Sequence, residues 1–242
     1  MSPPQIYSIE GNIGTGKSTF LNKLKHHFRE NPKICFLEEP IGIWTSITDE
    51  NGVNIIEKYY KDQKKYAFSF QMMALISRLT LLKKVISSNK YDIIIMERSL
   101  YTDSNVFAKM LYDDKKIEEI EYAIYKKWYD DFVSEIPPIN FVYLTCEPSI
   151  SAQRVEKRNR LGENIALEYL ENCHLYHNNW LLNEKNYRYP VIILDANKDI
   201  NDNPEMITLW IENIEKAINK YNKSLRWRNI IDYAYLIQEK LF

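Results

Sequence analysis

Glycine is scarce in this chain, 6 in 242 residues, where a globular average near 7% would supply roughly 17. The abundance of Ile, Lys, Asn and Tyr, a mix produced by AT-rich coding sequence, accounts for the scarcity. It does not account for the clustering of Gly11, Gly14 and Gly16 in one short window. Cysteine is also sparse. Cys35, Cys146 and Cys173 are odd in number, widely spaced and unmatched by any zinc pattern, which reads as reduced thiols in a cytoplasmic setting (the host cytoplasm if the source is viral). Long apolar runs are missing: Ile93-Ile94-Ile95-Met96 is strand-length, far short of the roughly 18 residues that span a bilayer, so no membrane association is expected. The first residues, Met1-Ser2-Pro3-Pro4-Gln5, do not read as a signal peptide. Nor does one sign of charge dominate. Lys+Arg 32 against Asp+Glu 33 argues against nucleic-acid binding by bulk electrostatics, so any anion site must be built locally.

What is present is a 45% hydrophobic chain, which excludes global disorder. Five short runs rich in β-branched residues recur along it: Ile6–Ile9, Ile34–Leu37, Asp92–Met96, Phe141–Leu144 and Val191–Leu194. They do not alternate with polar residues, as expected of strands buried on both faces of a parallel sheet. Helix-period stretches separate them, so the spacing predicts a doubly wound α/β fold in which long helices outweigh the sheet. Between Tyr66 and Asn89, the residues Phe68, Met72, Leu75, Leu79, Leu82 and Ile86 trace one apolar stripe. Gln71 and Arg78 lie two turns apart on a neighbouring face, and in so apolar a helix they need partners or solvent. Residues 197–204 form the clearest polar loop, with Pro204 suited to begin a helix. The segment from Lys223 to Phe242 reads as an added, docked helix, which makes residues 1–222 the main domain and 223–242 a C-terminal extension.

Gly11-Asn12-Ile13-Gly14-Thr15-Gly16-Lys17-Ser18 is a G-x-x-x-x-G-K-S pattern between a predicted strand and a predicted helix, with Thr19 next in line. Glycines let successive backbone N–H groups turn onto phosphates, and the helix start adds its positive dipole end. In such a loop the lysine reaches the β and γ phosphates and the serine hydroxyl ligates Mg²⁺, the roles expected of Lys17 and Ser18. The pattern points to a nucleoside triphosphate without saying what is done with it.

Other residues narrow the choice. Glu39-Pro40 follows the second strand, Trp44 comes shortly after, and Glu97-Arg98-Ser99 follows the third strand. With Tyr60, Phe70-Gln71, Arg78 and Leu167-Glu168-Tyr169-Leu170-Glu171, the stretch from about Ile6 to Tyr221 resembles the deoxynucleoside kinases, the family of the deoxycytidine, deoxyguanosine and mitochondrial thymidine kinases. The resemblance implies a P-loop kinase with a five-stranded parallel sheet, a helical lid, a homodimer, and transfer of the γ-phosphoryl of an NTP to a deoxynucleoside 5′-hydroxyl in nucleotide salvage. It makes Glu39 the general base, in preference to Glu38. It gives Glu97 to Mg²⁺ with Ser18, and Arg98 to Glu39, the 5′-oxygen and the transferring phosphate. The lid corresponds to residues 154–164, where Arg154 and Arg158 share a helix face and Arg160 follows. All three are expected to close on phosphate oxygens. The lid is one residue shorter than the family's usual one at Arg160-Leu161-Gly162-Glu163-Asn164. Glu163 there matches the carboxylate that binds the sugar 3′-hydroxyl with Tyr60.

The resemblance also assigns the base pocket. Trp44 and Phe107 match the aromatic residues that sandwich the base, with Phe70 beside them and Gln71 pairing with the base edge through its amide. Arg78 and Asp103 occur together in members that prefer deoxycytidine or purine deoxynucleosides. The chemistry agrees, since Asp103 can accept from an exocyclic amino group where thymine offers a carbonyl and a methyl, and Arg78 neutralises it. Asp199 and Ile200 match the positions that contact the base of the phosphate donor, for which ATP is the default. His174 and His177 near Cys173 lack a further ligand at suitable spacing, so no metal site is expected there. Two rival readings share the phosphate loop. A nucleoside monophosphate kinase needs additional basic residues for its acceptor's phosphate, and a non-catalytic nucleotide-binding subunit expects loss of Lys17, Glu39 or Arg98.

Overall fold

The computed structural model describes residues 3–160, 165–182 and 191–219. Met1–Asp199 and Ile200–Phe242 are two compact units. The expected division at residue 222 falls outside the described residues, as do Leu161, Gly162 and Glu163 of the lid.

In the first unit the five predicted runs are five strands: β1 (Gln5–Glu10), β2 (Ile34–Leu37), β3 (Ile93–Glu97), β4 (Ile139–Thr145) and β5 (Ile192–Asp195). All pair in parallel, in the order β2-β3-β1-β4-β5. β1 and β3 are buried along their whole length, which explains the absence of alternation in their sequences. After β1 the chain runs out to β2 and returns to β3. It then crosses to β4 on the far side of β1. The crevice at the carboxyl ends of β1 and β3 is therefore the topological switch point, where ligands bind in open α/β sheets.

Helix α1 (Lys17–His27) follows β1, and α2 (Ile41–Ser46) and α3 (Ile55–Lys61) follow β2. Asn54 caps α3 by accepting from the Glu57 N–H at 3.0 Å. Asp62 caps α4 (Gln63–Ser87) by accepting from the Lys65 N–H at 3.1 Å, so one short polar residue separates the two helices. After β3 come α5 (Leu100–Thr102), a π-helical turn (Asp103–Ala108) and α6 (Lys109–Asp113), then α7 (Glu119–Val133). Helix α8 (Pro148–Arg158) starts on a proline and stops at Asn159, whose left-handed backbone is the usual helix terminator. Helix α9 (Leu167–Leu181) completes the set.

Leu75, Leu79 and Leu82 of α4 are buried as predicted, while Phe68, Met72 and Ile86 are half-buried at the margins of the core. Leu82 packs with Ile6, Ile94, Met96 and Ile139 of the sheet, and Leu75 and Leu79 pack with Leu100, Tyr125 and Tyr129. Ile13, Val155 and Leu170 join the phosphate loop to α8 and α9. In the second unit a helix spans residues 204–219, beginning at Pro204, and Trp210, Ile211, Ile214 and Ile218 are its buried apolar positions. Among the described residues no helix is long and apolar enough to cross a membrane.

Candidate active site

The glycine cluster forms the turn from β1 into α1. Gly11, Gly14 and Gly16 have φ of 143°, 83° and 92°, where L side chains are strained. A Cβ on Gly11 would lie 2.6 Å from the Leu144 carbonyl oxygen, and one on Gly14 would collide with the Ser151 carbonyl. The loop is thus closed in by β4 and α8. Asn12 pins it to α9 by donating to the Leu170 carbonyl at 2.7 Å, and Thr15 donates to the Asn12 carbonyl at 3.1 Å. Gly16 caps α1 without a side-chain acceptor, which leaves first-turn N–H groups for an anion. The Lys17 ammonium donates to the Asn12 carbonyl at 2.5 Å. Burial, reinforced by Arg98, pulls its pKa down to about 7 against the opposing pull of Glu97 and Glu39.

Two carboxylates face this loop from the strand ends. Glu97 closes β3 and accepts from the Ser18 hydroxyl at 2.9 Å. Glu39, just beyond β2, accepts from Arg98 Nη1 at 2.8 Å and from Arg78 Nη2 at 3.1 Å through the same oxygen. Burial alone would raise the Glu39 pKa. Arg98, Arg78 and Lys17 outweigh it and hold the carboxyl at about 2. Glu38 is exposed and pairs with Lys25 at 3.2 Å. Arg98 sits in the left-handed region at φ 58°, with its N–H donating to the Ile9 carbonyl at 3.0 Å and Nη2 reaching the Gly11 carbonyl at 3.5 Å. A non-glycine residue held there marks a site whose surroundings enforce it.

Gln71 and Arg78, for which the apolar helix allows either solvent or partners, are both buried. Arg78 binds Asp103 through Nε at 3.0 Å and Nη2 at 3.4 Å, and its Nη1 donates to the Glu97 carbonyl at 2.8 Å. Burial pushes the Asp103 carboxyl up, opposed by Arg78. Trp44 lies edge-on to Phe70 at 5.5 Å and under Arg78 at 5.9 Å, and Arg98 stands 5.2 Å above the Phe107 ring. The Gln71 Oε1 is buried with no hydrogen-bond partner among the described residues, a cost that persists unless a ligand satisfies it. Tyr60 lines an open cavity of about 470 Å³ shared with Tyr169, Lys116 and Glu168. Asp103 and Phe107 both ride on the π-helical turn, a wide helical form frequent at functional sites.

A deoxynucleoside kinase family model matches residues 7–219. The chain belongs to the deoxynucleoside kinase family. It is 35% identical over 224 residues to deoxycytidine kinase 2 of Gallus gallus, covering 81% of this chain and 83% of that protein. To deoxycytidine kinase of Homo sapiens it is 32% identical over 232 residues, covering 83% and 86%. To the mitochondrial deoxyguanosine kinase of Xenopus laevis it is 29% identical over 222 residues, covering 81% and 83%. The protein is accordingly a phosphotransferase of the kinase type.

In this kinase Arg154 is already engaged. It donates to the Ala196 carbonyl at 2.8 Å and the Asn197 carbonyl at 3.3 Å, in the loop after β5. Arg158 ends α8 and is near enough to Lys17 to lower its pKa, and Arg160 follows the Asn159 stop. Asp199 ends the first compact unit and Ile200 begins the second. His177 Nδ1 meets the Cys173 carbonyl at 2.7 Å and His174 Nε2 meets Asn178 at 2.8 Å, so the two rings turn to different partners.

Sequence reasoning missed three groups at the site. Ser77 accepts from the Trp44 indole N–H at 2.9 Å. Tyr59 stacks on Phe70 at 4.7 Å and shares a 2.9 Å hydroxyl contact with Tyr169. Glu10 takes the Ser99 and Thr102 hydroxyls. Only Glu10 had a signal in the sequence: a carboxylate ending an apolar strand immediately before the phosphate loop.

Proposed function

We propose that this kinase transfers the γ-phosphoryl of ATP or another NTP to the 5′-hydroxyl of deoxycytidine or a purine deoxynucleoside, in nucleotide salvage in the cytoplasm. The observation that carries the chemistry is Glu39, a carboxylate kept ionised by two arginines at the switch point and facing Lys17. Glu39 takes the proton of the 5′-hydroxyl as that oxygen attacks in line. Lys17, Arg98 and the lid arginines Arg158 and Arg160, with Arg154 beside them, neutralise charge on the phosphoryl oxygens. The backbone N–H groups from Gly11 to Thr19 hold the remaining phosphates, and Asp199 and Ile200 face the donor base.

The Ser18 hydroxyl and Glu97 carboxylate, 2.9 Å apart, form a hard-oxygen pair that suits Mg²⁺, which uses one or two protein oxygens together with phosphates and water. When bound there, Mg²⁺ screens the charge of the triphosphate.

Base choice rests on Asp103 and Gln71. A carboxylate accepts hydrogen bonds from an exocyclic amino group, and the Gln71 oxygen, unpartnered among the described residues, adds a second acceptor. Trp44, Phe70 and Phe107 supply the faces, and Tyr60 with Glu163 the 3′-hydroxyl contacts. A second copy of the chain covers the exposed stripe Ile120, Ile124 and Trp128 on α7 to make a homodimer. Sedimentation checks this, with Trp128→Glu expected to give a monomer. The decisive assay is ADP release from Mg-ATP with each of the four deoxynucleosides. Turnover fastest with thymidine refutes the base assignment. Turnover of nucleoside monophosphates in preference to nucleosides refutes the acceptor.

A further inference from the structure

Glu10 is fully buried at the end of β1, and none of the phosphate, proton or base contacts above uses it. An ionised carboxylate in such a place is costly unless it is hydrogen-bonded. Among the described residues its donors are three hydroxyls. Ser8 and Ser99 reach Oε1 at 2.6 Å each, and Thr102 reaches Oε2. Burial pushes the Glu10 carboxyl up, opposed by these three hydroxyls and by the charge of Arg78 on α4.

The donors are informative because two of them form a helix cap. Ser99 and Thr102 make a reciprocal capping box at the start of α5, each side chain accepting the other's backbone N–H. A hydroxyl has one proton and two lone pairs, and a carboxylate can only accept. Glu10 therefore draws both hydroxyl protons to itself and leaves both sets of lone pairs for the backbone. The residue before this cap is Arg98, in its left-handed conformation. β1 grips the turn on both sides: the Ile9 carbonyl holds the Arg98 N–H, and Glu10 holds Ser99.

We propose that Glu10 is a positioning residue for phosphoryl transfer, locking the Ser99–Thr102 cap and with it the turn that delivers Arg98 to Glu39 and the phosphate loop. The inference rests on the kinase reading above. Glu10 touches neither substrate nor phosphate. It acts by making one hydrogen-bond direction obligatory next to the residue whose guanidinium must meet two partners at once.

The test is steady-state kinetics on the full chain with Glu10→Gln, which keeps the shape but sets amide protons against a hydroxyl that now has to accept them. The expected result is a kcat lower by about 10- to 100-fold, the effect of a displacement near 1 Å at the reacting groups. KM for nucleoside and NTP should stay within about threefold of wild type. The acid limb of kcat/KM should move to higher pH as Glu39 loses part of its hold on Arg98. Thr102→Val removes the other end of the same bond and should act in the same direction. Thr102→Ser should restore wild-type kcat. The Glu10→Gln, Thr102→Val double variant should be no slower than the slower single, since both break one network. Wild-type kcat with an unmoved acid limb overturns the proposal, even if the melting temperature falls. If Glu10→Gln does not fold, the Thr102 pair decides on the same readouts. A wild-type chain inactive on every deoxynucleoside overturns the kinase reading instead.

Discussion

Arg78 grips Asp103 with two nitrogens, Nε at 3.0 Å and Nη2 at 3.4 Å, and the same Nη2 reaches the Glu39 carboxylate at 3.1 Å. One guanidinium therefore links the group assigned to base choice with the group assigned to proton transfer. The pair is buried on both sides, with side-chain exposures of 3% and 2%, so removing Arg78 strands the Asp103 charge, whereas Arg78 without Asp103 keeps Glu39 and the Glu97 carbonyl.

That asymmetry gives the first prediction. Arg78→Met leaves Asp103 buried without its cation, which costs about 3–5 kcal/mol. Adding Asp103→Ala removes the stranded charge, so the double variant should melt at a higher temperature than the Arg78→Met single. The double variant should also gain thymidine kcat/KM relative to deoxycytidine. Calorimetry with a four-nucleoside assay checks both, and no gain with thymidine rules out the assigned pocket.

Glu39 and Glu38 are adjacent and chemically identical, yet only Glu39 is enclosed by arginines. Glu39→Gln should lower kcat by about 10²- to 10⁴-fold, the range for loss of a positioned base. Glu38→Gln should stay near wild type. Because Glu39 is held at about 2, below an unfolded value near 4.3, it stays ionised across the neutral and mildly acid range. Its stabilising pairing is complete above the unfolded value and is lost as pH falls through about 2. Arg98→Met should raise the acid limb of kcat/KM, read from a pH profile.

Lys17 provides a pH test of donor binding. Its pKa is pulled down to about 7 in the free protein by burial and Arg98, and a triphosphate at the loop favours the charged form. Affinity should thus be full below pH 7 and weaken above it, with proton uptake on binding. Calorimetric titration of an NTP in buffers of different ionisation enthalpy measures that uptake. Its absence at pH 8 sinks the idea.

The phosphate loop separates two kinds of glycine requirement. Gly14→Ala meets the Ser151 carbonyl and a strained φ, while Gly16→Ala meets only the strained φ. Strain alone costs about 1–2 kcal/mol. Gly14→Ala should therefore be the more destabilising of the two, and both should weaken NTP binding. Melting curves with and without NTP make the comparison.

Much of this architecture was legible in the chain. Runs such as Ile93-Ile94-Ile95-Met96 carry strand identity because burial on both faces removes the need for polar alternation. The glycine cluster with Lys17 and Ser18 carries the phosphate loop because only glycine tolerates its dihedrals at little cost. Asp62 and Pro148 set helix starts by local chemistry, and Asn159 sets a helix stop in the same way. Local sequence was enough for the strands, the long helix α4 and the phosphate loop. What it left open was company. Gln71 and Arg78 on an apolar helix allowed either solvent or partners, and only the packing of α4 against the strand ends decided for Asp103, Glu39 and the Glu97 carbonyl. The Arg154 guanidinium, the Ser77 seat for Trp44 and the Glu10 cap lock likewise join residues far apart in the chain. Local periodicity records which face of a segment is apolar. Which polar group meets which across that face is set by strand order and by the left-handed turn at Arg98, and those depend on contacts between segments that no single stretch of sequence contains.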